Sequence, residues 1–278
     1  MENSFITCNL LGGLGNQLFQ IFTTISYSLE NNVKFFFPNY KGMKGIDGVS
    51  ERNAYWNNLF FNLRPYIKDI NQGVMVQERN SHTYSKLPSP IRNTTIVLFG
   101  YFQSLKYFSN KKDDIVKLIG ISKYQNKIGE INAISLHFRI GDYKVNTNFH
   151  PILSVDYYKR ALESIILKTG KNNWTVKYCY EKQDEIMVGE KIEYLKRQFP
   201  DLVFEKVDNK LKDWQQMLYM SCCKHNIIAN STFSWWAAYL NKNNDKMVCY
   251  PETWFGEGSD IKDVSEMFEG LMWKKITV

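Results

Sequence analysis

An arginine closes an apolar run in His137-Phe138-Arg139-Ile140-Gly141-Asp142, and this is the first feature of the 278-residue sequence with a chemical use. A guanidinium keeps its charge at any working pH and is expensive to bury, so at the mouth of a strand it either faces water or meets an anion. His137 and Arg139 share parity along an extended chain while Phe138 takes the other, so the two are expected on one face. Gly141 allows a sharp exit from the strand. Asp142 then lies close enough to order the arginine or to act as a base, and a plain Arg139–Asp142 pair on a loop is the competing reading.

Two further stretches have an anion-binding character. In Leu10-Leu-Gly12-Gly13-Leu-Gly15-Asn16-Gln17, glycines follow a strand and precede a helix, so backbone N–H groups at the helix start are able to approach a ligand. A dinucleotide fingerprint fails here, because its third glycine is Leu18 and the second strand, "FFFPNY", ends without an acidic residue. A tight structural turn remains the alternative. In Asn230-Ser231-Thr232-Phe233-Ser234, hydroxyls cap a helix carrying Trp235 and Trp236. Those tryptophans read as core, whereas the capping segment suits either ordinary capping or phosphate. Together the three stretches describe a site for a multiply charged anion such as a pyrophosphate, and no Asp-x-Asp occurs to bring a metal to it.

Positioning these residues requires parallel sheets. From residue 131 the strands "INAISLHF", "WTVKYCY", "LVFEKV", "NIIAN" and "KMVCYP" alternate with helical stretches at 154–168, 184–198, 211–222 and 232–241, which predicts a five-stranded doubly wound domain. The N-terminal part opens with a strand over 5–11 and a helix over 16–29. Further on come the strands "VKFFFP" and "TTIVLFGYF", a helix around 105–119, and a polar stretch "GISKYQNKIGEIN" expected to be a linker. Ligands of open α/β sheets bind outside the carboxyl ends of the strands, where all three motifs fall.

Composition narrows the class. An excess of 35 basic over 28 acidic residues favours an anionic partner, but no run of five basic residues suggests nucleic acid. The five cysteines show neither paired nor metal-ligand spacing and read as small buried hydrophobes of a reducing compartment. No stretch is apolar enough to span a membrane, so a cytoplasmic protein is expected, and its sequons at Asn93, Asn173 and Asn230 then carry no glycan.

The strings "GGLGNQLFQ", "HFRIGDY" with "HPILSVDYYKRAL", and "MSCCKHNIIANSTFSWWAAYLN" with "YPETWF" resemble, in order, the signatures of the α-1,2-fucosyltransferases of glycosyltransferase family eleven. One position departs: the family commonly has two adjacent arginines where this chain has Arg139 and Ile140, an arrangement similar to that of the related protein O-fucosyltransferases. The resemblance implies a GT-B fold of two Rossmann-like α/β domains facing a cleft, with residues 1–125 on the acceptor side and 126–278 binding GDP-fucose. It further implies an inverting, metal-independent transfer of fucose to a glycan, by default α-1,2 to galactose. Arg139 would then stabilise the departing diphosphate, with Asp142 as the candidate base. Gly13, Gly15, Asn16, Gln17, His137, Asn230, Ser231, Thr232 and Phe233 would line the donor. A carboxylate suits the paired N–H donors of guanine, with Asp213 first and Asp208 second. His150 is expected to pack or to order its loop, and residues 40–95, with Tyr55, Trp56, Phe60 and Phe61, to fill the core or to meet the acceptor. Transfer of another GDP-sugar, or a non-catalytic glycan- or nucleotide-binding module, remains open.

Overall fold

A computed structural model of the chain describes residues 4–44, 51–69, 72–80 and 82–277; positions 45–50, 70–71 and 81 of the expected acceptor stretch lie outside them. The chain forms two compact units, Met1–Lys123 with Ile261–Gly270, and Tyr124–Asp260 with Leu271–Val278. This differs from a single boundary after residue 125 in that a late segment returns to the first unit.

Unit 1 contains β1 (Phe5–Cys8), α1 (Leu14–Asn31), β2 (Lys34–Phe35), a short antiparallel pair β3 (Met43–Lys44) and β4 (Glu51–Arg52), β5 (Val74–Gln77), β6 (Thr95–Phe99) and α2 (Lys112–Ile119). Its main sheet is parallel, ordered β2-β1-β6-β5. The strand and helix read at 5–11 and 16–29 are β1, which is shorter, and α1, which begins two residues earlier and is buried over most of its length. Burial obliges its polar side chains to find partners. Gln20 accepts from Leu11 N at 2.9 Å and donates to Gly100 O at 3.1 Å, tying the start of the helix to the ends of β1 and β6. Tyr55, Trp56 and Phe60 are core, as the packing alternative held, while Phe61 is exposed beneath the Arg64 guanidinium.

The expected linker is instead a helix, α3 (Ile121–Ile128), and it carries the boundary between the units. Its inward face includes a polar residue: Gln125 is buried and donates to Ser221 Oγ at 2.8 Å and Leu240 O at 3.0 Å. A stripe completed by glutamine reads as a solvent-exposed segment in sequence.

Unit 2 continues through β7 (Ile131–His137), α4 (Val155–Thr169), β8 (Thr175–Cys179), α5 (Glu185–Gln198), β9 (Val203–Lys206), α6 (Asp213–Ser221), β10 (Cys223–Ile227), α7 (Thr232–Leu240), β11 (Val248–Pro251) and β12 (Lys274–Ile276). The sheet has six parallel strands, ordered β12-β11-β10-β7-β8-β9, one more than expected. The additional strand is β12, whose lysines are exposed and which shows little hydrophobic pattern. Strand β10 starts earlier than read and stops at Ile227, three residues before Asn230.

Alternation along β7 sorts its side chains between two layers. Ile134, Leu136, Phe138 and Ile140 pack with Tyr158, Leu162 and Ile165 of α4 and Ile192 and Leu195 of α5. Ser135, of opposite parity, accepts from Asn226 Nδ2 at 2.7 Å, and the same amide donates to Met220 O of α6 at 2.8 Å. Asn241, just past α7, completes this buried network with a 2.7 Å bond to Asn226 Oδ1. A fully satisfied polar network of this kind fixes one arrangement of strand and helix. Among the described residues no helix is long and apolar enough to cross a membrane.

Candidate functional site

Strand register brings the site together. β7 and β8 run parallel with His137 opposite Cys179, and Phe138 N donates to Cys179 O at 2.9 Å. Two residues further along each strand stand Arg139 and Glu181. Phe138 and Ile140 are both buried in the core beneath α4 and α5, so Arg139 between them is directed the other way. Ile140 is a core position here.

Arg139 is held on three sides. Its Nη2 pairs with Asp142 Oδ1, its Nη1 pairs with Glu181 Oε1, and its guanidinium carbon lies 4.9 Å from the centre of the Tyr143 ring. The Arg139–Asp142 pair was one of the two readings of the sequence; Glu181 was not anticipated. Below them, buried Asp184 accepts from Gly141 N at 2.8 Å and pairs with Lys144 at 2.6 Å, which fixes the turn Gly141–Val145. Gly141 has φ +29° and lies against Glu181: a Cβ there would approach Glu181 Oε2 to 2.7 Å.

Tyr143 connects this loop to the start of α7, because its hydroxyl donates to Asn230 O at 2.8 Å. Asn230 itself donates to Pro151 O at 3.0 Å and Trp254 O at 3.1 Å, so its amide nitrogen braces the loop before the helix. Ser231 is the N-cap of α7 and accepts from Phe233 N at 3.3 Å, and Thr232 is the first helical residue. The ordinary capping role is therefore present. His150 stacks on Tyr143, with ring centres 4.4 Å apart and planes at 12°, in keeping with the packing role expected of it.

His137 lies buried against the Phe233 ring, with centres 5.3 Å apart. Burial, and secondarily the Arg139 charge, lowers its pKa to about 3, so it is a neutral imidazole at working pH. The unfolded chain binds a proton near the reference pKa of 6.5 and the folded chain does not. Stability from this group is thus complete above pH 6.5 and is lost as pH falls towards 3. His225, lowered by burial to about 4, acts with the same sign. Between pH 7 and pH 5 the His137 contribution is about 2 kcal/mol. Urea unfolding of His137→Gln at the two pH values should show the loss shrinking by that amount; an unchanged loss would assign it elsewhere.

In unit 1 the glycine turn is well braced. Gly12 has φ +72°, in the left-handed region that favours glycine, and a Cβ there would lie 2.5 Å from Asn16 Nδ2. Gly13 is the N-cap of α1 with no side-chain cap, and Gly15 is buried in the first turn. Asn16 Oδ1 accepts from Gln103 Nε2 at 3.1 Å. Gln17 donates to Gly12 O at 3.1 Å and Asn53 O at 2.9 Å, which makes it a brace of the turn. In unit 2, Asp213 opens α6 and accepts from its neighbour Trp214 N at 2.7 Å, and Asp208 accepts from Lys210 N at 2.9 Å.

The structure places Arg139, Asp142, His137 and the α7 start, all singled out in the sequence, beside Glu181, Asp184 and Tyr143, which the sequence reading does not single out. Only the pairing of β7 with β8 reveals Glu181, and no spacing in the sequence encodes it. Among the described residues, no three His, Cys, Asp or Glu side chains gather to hold a metal ion.

The architecture is that of a GT-B-type glycosyltransferase: a solved structure of POFUT1 in complex with GDP-fucose matches at a TM-score of 0.51 and 11% identity, over 89% of this chain and 98% of that one. The model of glycosyl transferase family 11 matches residues 61–258, and the chain belongs to this family. It is 32% identical over 186 residues to the O-antigen biosynthesis glycosyltransferase WbnK of Escherichia coli, a match that spans 59% of this chain and 57% of that relative. It is 26% identical over 276 residues to an alpha-1,2-colitosyltransferase of Escherichia coli, covering 91% of this chain and 93% of the other.

Proposed function

We propose that the protein transfers L-fucose from GDP-β-L-fucose to a hydroxyl of a glycan, with inversion and without a metal ion, the α-1,2 link to galactose being the first expectation. The observation that carries this reading is the anchored Arg139 at the carboxyl end of β7, joined through Tyr143 to the capped start of α7. In the proposed step the acceptor oxygen attacks the anomeric carbon of the donor. The bond from that carbon to the β-phosphate oxygen breaks, its electron pair leaves with GDP, and the hydroxyl proton passes to a base. A guanidinium offers two parallel charge-assisted hydrogen bonds to phosphate, and these strengthen as negative charge develops. His137 stays neutral and adds no competing positive charge.

Asp142 remains the named candidate for the base, and its pairing with Arg139 equally supports a positioning role. Ser231, Thr232 and Phe233 supply the hydroxyl and amide groups of the helix start, and Asp213 is the first carboxylate to test for guanine. The uncapped start of α1, with Gly13, Gly15 and Asn16, is a second feature suited to phosphate. All five cysteines are free thiols, which supports a cytoplasmic setting.

A second reading concerns the donor. Colitose is the 3-deoxy counterpart of L-fucose, and likeness to a colitosyltransferase over 91% of the chain favours GDP-colitose as the alternative. Calorimetry with GDP, followed by turnover assays with GDP-fucose, GDP-colitose and GDP-mannose in the presence of EDTA, tests both readings. Tight binding of GDP and turnover of one 6-deoxy donor are expected. Binding of glycan without GDP would instead identify a lectin-like module, and turnover abolished by EDTA would remove the metal-independent mechanism.

A further inference from the structure

Glu181 is the one member of the Arg139 cluster that comes from a different strand end. It follows β8, whereas Arg139 and Asp142 lie three residues apart after β7. Both terminal nitrogens of the guanidinium carry a carboxylate, Asp142 on Nη2 and Glu181 on Nη1. The two carboxylates differ in their surroundings. The Asp142 side chain is 11% exposed and lies in the turn fixed by Asp184, while that of Glu181 is 32% exposed. Gln183 Nε2 donates to Glu181 Oε2 at 2.6 Å, so Glu181 has a second partner of its own that would remain with it if it left Arg139.

A diphosphate that approaches both terminal nitrogens of Arg139 meets a guanidinium already paired with two negative groups, and since each of those nitrogens carries two N–H groups the conflict is one of charge. Three anionic groups around one cation repel one another in a partly desolvated site. From this geometry we infer that Glu181 is a displaceable counter-ion of Arg139, a residue that competes with the diphosphate of the donor and of the product for the same nitrogens. The inference rests on the proposed use of Arg139 as a diphosphate ligand. Glu181 is the group that yields, being the more exposed, and Asp142 stays to orient the guanidinium. Competition of this kind weakens retention of GDP after transfer, since the carboxylate is at hand to resume its place.

The test is unusual in sign, because removing a residue from the site should tighten binding. Binding of GDP and of inorganic pyrophosphate to wild type, Glu181→Gln and Gln183→Ala is measured by calorimetry, with thermal unfolding as a check on folding. Glu181→Gln keeps the shape and an acceptor oxygen while losing the charge, and it should bind both probes about tenfold more tightly, the scale of one hydrogen bond to a charged group. Gln183→Ala weakens the alternative partner of Glu181, which leaves the carboxylate more firmly on Arg139, and it should bind both probes about two- to threefold more weakly. A folded Glu181→Gln with unchanged or weaker binding overturns the inference, since a purely supporting carboxylate would give that result. If Glu181→Gln does not fold, Gln183→Ala decides, and unchanged or tighter binding there overturns it. Tighter pyrophosphate binding in Glu181→Gln with no preference for GDP in any variant would uphold the counter-ion and remove the GDP-sugar reading. GDP preference in wild type with no gain in Glu181→Gln would do the reverse.

Discussion

Arg139→Ala is expected to lower kcat about 10²–10³-fold, the usual consequence of removing a preorganised group aimed at developing negative charge. Binding of GDP should weaken as well, but by less, because the guanidinium is proposed to act most strongly as the leaving-group charge forms. Stability should fall too, since the change leaves Asp142 and Glu181 facing each other without the cation that both hold. The two effects are separable with the double variant Arg139→Ala/Glu181→Gln. Removing one of the two stranded charges should restore much of the unfolding free energy while leaving turnover low. Single-turnover kinetics and urea denaturation provide the measurements. Wild-type turnover in Arg139→Ala would end the proposed role of this residue.

The second large effect concerns folding. Trp235 is fully buried, stacks on Tyr239 at 4.8 Å, and meets the Trp236 and Trp273 rings at 5.2 and 5.8 Å. Trp235→Ala should cost about 3–5 kcal/mol, through lost transfer energy and the cavity left behind. This is a large share of the total stability of an ordinary domain. Because Trp235 stands one turn from Ser231, with its backbone N–H donating to Ser231 O at 3.0 Å, loss of this anchor should also loosen the capped turn. Denaturant unfolding gives the value, and a loss below about 1 kcal/mol would show that α7 is held by something other than its tryptophan face.

The sequence made some of this legible for identifiable reasons. Alternation along residues 134–140 was strong enough to separate His137 and Arg139 from Phe138, and the apolar partners of Phe138 and Ile140 explain why the separation is kept. Hydroxyls before an apolar helix announced the α7 cap, and the tryptophans were readable as core. Other features lacked a local signal. Helix α3 is two turns long and mostly polar, with a glutamine on its buried face, and β12 exposes two of its three residues, so neither carries the apolar content that marks a buried element. Glu181 joins the site through the register of two strands about forty residues apart, information that a local pattern does not hold. Asp184 precedes a helix with nothing local to mark it as buried, and its burial against Gly141 N is a consequence of where the chain turns after β7.

The late segment Ile261–Gly270 gives the protein an order of assembly. Glu266 accepts from Tyr84 N and pairs with Lys106, a partner 160 residues earlier, and Lys106 also reaches Glu269 at 3.0 Å. On the ribosome, unit 1 therefore waits for its last contacts until nearly the whole of unit 2 has been synthesised. Domains ordinarily mature from the N-terminus as they emerge. Here the first unit to appear is closed only shortly before the second receives its last strand, β12, and a nascent chain halted before residue 261 would hold an N-terminal half that still lacks its closing ion pairs.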